Sequence, residues 1–411
     1  MTEPFGTDTN RKRILGLNPN VFFLGIVSLL TDISSDMIFT LVPLFLANVL
    51  GAAGTIVGLV GGLSEGADAI FRIFSGWLSD KIGKRKLLAV SGYSISTIAK
   101  PFLYLANAWG VVLAVRFTDR VGKGIRTSSR DALIADSVSA GERGRGFGLH
   151  RAMDTTGAFL GLVIAAIIVY LVQGTGAIEL NLRCFRWLVI GGIIPAVLAV
   201  IVLLVFVREK KRERAPDSSS QARMSLSGIK GSFDTRFWLF LAIMAVFTLG
   251  NSSDFFVILR AQNLGAPLLH VVLMLVLWNA AEALFSLPMG VLSDRLGRRR
   301  VIILGWFIYI LVYLGFAVSS SIWQVWLLFL CYGVYYGTVQ GIARAFVADL
   351  APEDKRGTAY GLYHGVVGLS LVAASLIAGV LWDVVSPSAP FYFGATLAFV
   401  ALLGIIKLIK E

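Results

Sequence analysis

Two aspartates, Asp32 and Asp36, stand four residues apart in the segment TDISSDM. A second segment, RFTDRVGKGIRTSSRD, carries Arg116, Asp119, Arg120, Lys123, Arg126, Arg130 and Asp131. Positions 119, 123, 126 and 130 follow the i, i+4, i+7, i+11 spacing that puts side chains on one stripe of a helix. Two carboxyl groups one turn apart in apolar surroundings should not both stay ionised, so they are expected to titrate together and to bind a proton. A lysine and arginines on one face can hold a carboxylate or phosphate. No nucleophile–base arrangement can be read from the spacing. These residues therefore point to binding and proton exchange, and an enzyme is not expected.

The surroundings of these charges are apolar. Of 411 residues, 56% are hydrophobic and only 15% charged, with a mean hydropathy of +0.77; soluble domains carry about 25% charged residues. Twelve apolar runs long enough to span ~30 Å of hydrocarbon are centred near residues 34, 67, 97, 122, 159, 195, 248, 280, 309, 336, 370 and 399. Lipid offers the backbone no hydrogen-bond partner, so each run must be a helix. The expected fold is an all-α membrane protein of twelve transmembrane helices, called spans 1 to 12 below. An ionisable group at membrane depth costs roughly 2.5–3.5 kcal/mol, so each needs a partner or a function. Candidate partners are Glu65, Asp68 and Arg72 on span 2, Arg151 and Asp154 on span 5, and Asp254, Arg260, Glu282 and Arg344 in the C-terminal half. Half of these charges are expected to be structural ion pairs. Asp32 and Asp36 are the first candidates for a proton site, and Lys123, nearest the middle of span 4, for a contact to an anionic solute.

The net charge of +12 is arranged by topology. Of 37 Lys and Arg, 25 fall on one alternating set of loops and ends, the opposite loops hold only Arg183 and Arg186, and the rest lie within spans. That asymmetry predicts both termini on the cytoplasmic side, so nucleic acid is not a partner. The polar segment 208–235 reads as a cytoplasmic linker. It divides a tail (1–19) and a six-helix bundle (20–207) from a second six-helix bundle (236–408). Cys184 and Cys331 form no CxxC pair, so neither a disulfide framework nor a thiolate metal site is suggested. Gly122-Lys123-Gly124 fails as a phosphate loop, because Phe117 stands where glycine is required and no Ser or Thr follows the lysine. Asn251-Ser252-Ser253 is a glycosylation sequon inside a span. His150, His270 and His364 are scattered. No cofactor or metal is called for.

The two halves repeat one another. GWLSDKIGKRK (76–86) recurs as GVLSDRLGRRR (290–300), Asp136 matches Asp349, Arg143-Gly144 matches Arg356-Gly357, and Ser34-Ser35-Asp36 matches Ser252-Ser253-Asp254. Matches among charged residues and glycines mark an internal duplication. On these motifs the chain resembles the major facilitator superfamily over residues 20 to 408. Its spans 1 and 4 are similar to a poorly characterised prokaryotic subgroup that includes an uncharacterised methanogen transporter. The resemblance implies two bundles that rock about a midplane site, delivering a small solute across the bilayer.

The repeated turn is expected to act as a gate on the cytoplasmic side. Gly76 and Gly290 would admit a closely packed helix. Asp80 and Asp294 follow helix ends, where a carboxylate can face the positive N-terminus of an opposite helix; the resemblance implies span 11 for Asp80 and span 5 for Asp294. Gly83 and Gly297 complete the turns, while Arg85 and Arg299 are placed to meet Asp136 and Asp349. Drug/proton antiporters of the superfamily carry a glycine pattern in span 5. Here Gly148, Gly157 and Gly161 keep its spacing, but Leu162 replaces its proline and Ala165-Ala166 its glycine pair. These readings lead to proton-coupled export of a small organic solute by a monomer in the inner or plasma membrane. Proton-symport uptake of a small anion is the alternative, and divalent-metal export the third.

Overall fold

The computed structural model describes residue 14 and residues 18–82, 85–138, 143–209, 233–352 and 355–408; side chains at 69, 72–82, 128, 143–144 and 356–357 lie outside that description. All twelve apolar runs are helical. Span 1 is Pro19–Val49, span 2 Gly54–Ile82, and span 3 Arg85–Ala99, continued by a 3-10 turn Lys100–Leu103. Span 4 is Trp109–Ser137, span 5 Arg143–Gln173 and span 6 Leu182–Phe206. Span 7 is Thr235–Asn263 and span 8 Leu268–Leu296. Spans 9 to 12 are Arg298–Val318, Ile322–Leu350, Arg356–Val384 and Ala389–Leu408. Among the described residues, nine of these are long and apolar enough to cross a membrane on length and composition alone. The other three are spans 2, 3 and 4, which pack on one another. Span 4 carries the charged stripe, and its neighbours shield it.

Local chemistry sets the helix ends. Side chains of Asn18, Asn181 and Asp234 accept hydrogen bonds from the first turns of spans 1, 6 and 7, satisfying N–H groups that have no partner within the helix. Ser321 and Gln324 form a reciprocal capping box on span 10. Two spans are interrupted. Span 1 leaves the α-helix at Thr40–Leu41, just before Pro43, and resumes as Val42–Leu44 and Phe45–Val49; proline lacks the N–H and its ring clashes with the carbonyl four residues back. Span 7 is unwound at Asn251–Asp254 between Thr235–Gly250 and Phe255–Asn263. The freed groups there find side chains: Ser253 N donates to Ser375 Oγ at 3.1 Å, and Tyr309 Oη donates to Gly250 O at 3.1 Å.

In the first half span 1 packs against spans 5 and 6. Gly157 and Gly161 of span 5 let the span-1 backbone at Leu29 and Ile33 approach closely, so two of the span-5 small residues serve packing within one half. The halves meet mainly through spans 2 and 11, with spans 5 and 8 also in contact. Their hydrogen bonds cluster at the end opposite the repeated turns, here the far end. There Asp383 accepts from Gly54 and Thr55, Gln262 Nε2 donates to Ile178 O at 2.8 Å, and Leu268 N donates to Ala177 O at 2.8 Å. At the turn end, side-chain positions at Gly148, Gly290, Gly341, Gly361 and Gly365 face open space.

Candidate functional site: a chamber between the halves

The breaks in spans 1 and 7 flank a chamber of about 590 Å³. A second lobe of about 530 Å³ continues it, sharing Glu65, Lys123, Arg151, Gln340 and Tyr363 and reaching Asp68, Arg130, Arg344 and His364. The wall from the first half is charged. Arg120 Nη2 lies 2.9 Å and Arg116 Nη2 3.8 Å from Glu65 Oε1. Arg116 is 2% exposed, its guanidinium lying 4.6 Å from the Phe39 ring and 5.6 Å from that of Phe255 in the other half. Such faces attract a cation at low dielectric. Lys123 lines both lobes, and among the described residues its ammonium makes no hydrogen bond or ion pair.

Asp36 also lines the chamber, facing the charges of Lys123 and Arg120. Asp32 lies one turn away but has a nearer partner, its carboxyl group being within hydrogen-bonding reach of that of Asp154 on span 5. Asp154 further accepts from Ser28 Oγ at 2.6 Å and Arg151 Nη1 at 3.1 Å. The carboxyl contact joins spans 1 and 5, and the Asp36 charge one turn away acts on Asp32 as well.

One charge of the stripe, Asp119, stands behind this wall. Asp119 is buried, lines neither lobe and lies near the charges of Lys100 and Arg116. Arg126 donates to Ser96 Oγ at 3.1 Å and stacks on Tyr93, and Arg130 pairs with its neighbour Asp131 at 2.9 Å. Arg126, Arg130, Asp131 and Asp68 line the second lobe. Lys100, which the sequence reading passed over, is fully buried and donates to Ser34 Oγ at 2.6 Å and Ser35 Oγ at 3.2 Å. A lone lysine at the end of an apolar run gives no periodic signal.

The wall from the second half is aromatic. Asp254, in the break of span 7, accepts from Tyr332 Oη at 2.9 Å and Tyr336 Oη at 2.9 Å. Trp278 lies 4.7 Å from the Tyr332 ring and 5.1 Å from that of Tyr336, and Glu282 stands beside it in the lining. These tyrosines were also passed over, although a signal existed. The 213-residue offset that carries Asp136 to Asp349 carries Asp119 to Tyr332 and Lys123 to Tyr336. The same duplicated face is ionic in one half and phenolic in the other. Arg260 has a different role, donating to the carbonyls of Phe316, Ala317 and Ser319 that end span 9.

At the turn end Arg85 pairs with Asp136. The counterpart pair is Arg298 with Asp349, correcting the expectation of Arg299. Arg85 and Arg298 each open their helix at the 213 offset, whereas Arg299, one residue further round, donates to Ile405 O at 3.1 Å and Ile406 O at 2.7 Å on span 12. Asp294 lies 3.5 Å from Arg298 of its own half and meets no residue of span 5 among the described residues, and Gly290 meets open space instead of a closely packed helix. Both follow from the separation of the halves at this end. Gly297 has φ +93°, a turn conformation that favours glycine. The gate residues expected at Gly76, Asp80 and Gly83 lie outside the described residues.

Twelve helices, two of them broken beside a polar chamber between repeated halves, define a membrane transporter. The sequence profile of the Major Facilitator Superfamily matches residues 24–276 and 255–411, and the chain belongs to that family. It is similar to an uncharacterised transporter of this type from Methanocaldococcus jannaschii, 38% identical with 94% of each chain covered. It is also similar to the class B tetracycline resistance protein of Escherichia coli, 31% identical over 34% of this chain and 35% of that one. Among solved structures, the nucleoside transporter NupG superimposes with a TM-score of 0.76 at 14% identity, over 95% of this chain and 99% of that one.

Proposed function

We propose that this protein is a proton-coupled secondary transporter that exports a small organic solute by alternating access. The observation that carries the reading is the Asp32–Asp154 contact across spans 1 and 5, beside a chamber whose Asp36 faces Lys123. A proton shared by the two carboxyl groups is held while spans 1 and 5 stay in register and leaves when they part, Arg151 of span 5 keeping its hold on Asp154. Coupling needs a site whose proton affinity differs between two conformations. The family resemblance in span 5 and the similarity to a tetracycline resistance protein support extrusion of an organic molecule. The membrane is the inner or plasma membrane, with both termini cytoplasmic, so the turn end faces the cytoplasm and the chamber is reached from there. The chain works as two six-helix units, 20–207 and 236–408, joined by the linker 208–235, and as a monomer.

Uptake of a small anion with a proton is the second reading. It is favoured by Lys123, which stands in both lobes with no ion-pair partner among the described residues. One experiment tests both. Purified protein is screened against solute panels by thermal shift, because a ligand of the folded state raises the melting temperature by mass action. The stabilising solute is then loaded into proteoliposomes under an imposed pH gradient. Proton-coupled export predicts that the gradient drives solute movement opposite to the protons. Flux indifferent to the gradient contradicts coupling, and flux in the same direction as protons selects the second reading.

A further inference from the structure

At the far end a single carboxylate bridges the halves. Asp383, in the last turn of span 11, accepts from Gly54 N at 2.7 Å, Thr55 N at 2.7 Å and Thr55 Oγ1 at 2.6 Å. Gly54 and Thr55 open span 2, so the carboxylate sits on N–H groups that have no partner within their own helix. It also sits at the positive end of that helix's dipole. Span 2 belongs to the first half and span 11 to the second. The approach depends on small residues: a Cβ added at Gly379 would lie 2.6 Å from Gly54 O, and one added at Gly54 would lie 2.7 Å from the Trp382 ring. Trp382 in turn stands 5.8 Å from the Phe256 ring of span 7.

We propose that Asp383 is the latch of the far-end gate, holding the halves together while the chamber is reached from the turn end and releasing span 2 when access switches. The proposal rests on the alternating-access reading above. Three charge-assisted hydrogen bonds give the contact strength and direction. Its exposure makes it reversible, because water can satisfy both the carboxylate and the freed N–H groups once they part. The apolar packing of spans 2 and 11 below it has no such replacement. The contact that breaks on opening is thus placed at the rim.

The test uses the full chain with Cys184→Ser and Cys331→Ser, and a reporter Thr40→Cys in the chamber lining. A membrane-impermeant maleimide is applied in sealed vesicles from either face. The latch predicts that Asp383→Asn raises labelling from the far face at least about fivefold, the factor that a coupling at the low end of the usual range supplies, and lowers labelling from the turn face. Thr55→Val, which keeps the carboxylate and removes one donor, should move both rates in the same directions by less. Unchanged rates in both variants, with the wild type labelled from both faces, would sink the latch and leave alternating access standing. A rise from both faces would make Asp383 a structural residue only. Wild-type labelling from one face alone would overturn the latch together with the reading beneath it.

Discussion

A carboxylate at membrane depth is tolerated only where something nearby compensates it, and the carboxylates here are compensated in different ways. Asp254 rests on two tyrosine hydroxyls, Asp154 on Ser28, Arg151 and the carboxyl group of Asp32, and Asp36 on the charges of Lys123 and Arg120 without a hydrogen bond among the described residues. The last arrangement is the easiest to exchange. Asp36→Asn is therefore expected to cut transport driven by a pH gradient to below about a tenth of wild type, while solute affinity changes by less than about threefold. The amide keeps the shape and loses only the titrating charge, which one unit of pKa shift, about 1.4 kcal/mol, already makes worth tenfold. Uptake assays and thermal-shift titrations on the same preparation check the two halves of that statement, and a mutant that still transports up a gradient would remove Asp36 from coupling and leave it to the Asp32–Asp154 pair. Lys123→Ala asks a separate question. If an anionic group of the solute sits on this ammonium, affinity falls at least about tenfold, since a hydrogen bond to a charged group is worth about 1.5–3 kcal/mol. Unchanged affinity would remove Lys123 from the solute site.

The paired turns show how far a helix end can be read from its residues. Gly, Asp and three basic residues recur at both turns, and the pairing of Arg85 with Asp136 follows from their placement. Its counterpart required the helix start at Arg298, one residue from where the motif alignment put it; along a helix one residue is 100° of rotation, enough to send Arg299 to span 12. The charged stripe of span 4 was legible because ionic residues stand out against lipid. Tyr332 and Tyr336 were not, because phenols on an apolar helix look like core until their partner Asp254 is located. The contact of Asp32 with Asp154 was also hidden, since it depends on how deeply Gly157 and Gly161 let span 5 seat against span 1. Close seating also governs the interface of spans 2 and 11, where Gly58 faces the carbonyl of Ser375. Gly58→Val should therefore pry the far end apart. Expected outcomes are a lower melting temperature, reflecting about 1–3 kcal/mol of overpacking, and solute transport reduced several-fold. Wild-type stability and flux would mean that this contact is not kept close in the working protein. At the turn end, if the Asp80 charge belongs to a contact that breaks and reforms, as the repeated motif implies, Asp80→Asn abolishes transport with expression largely intact. Full activity in that mutant would reduce the turn to a topology signal.

For the whole molecule, the claim is that two repeated halves, sealed at one end by spans 2 and 11 and separated at the other, move a solute by exchanging which end is sealed. Sidedness comes first. Cysteines placed in the 208–235 linker should react only from the cytoplasm, and ones at 384–388 only from outside; the reverse would invert the orientation and the gate with it. Coupling is the more demanding claim, and proton release on binding tests it most directly. Purified protein in weakly buffered detergent solution is mixed with the stabilising solute, and a pH indicator follows the protons released or taken up. Measured across a pH series from about 5 to 8, antiport through the Asp32–Asp154 pair predicts the release of up to about one proton per protein on solute binding. Asp32→Asn and Asp154→Asn should release none while still binding solute. Proton uptake on binding would reverse the direction of coupling to symport, and a wild-type protein that binds solute with no proton change anywhere in that range would contradict proton coupling itself.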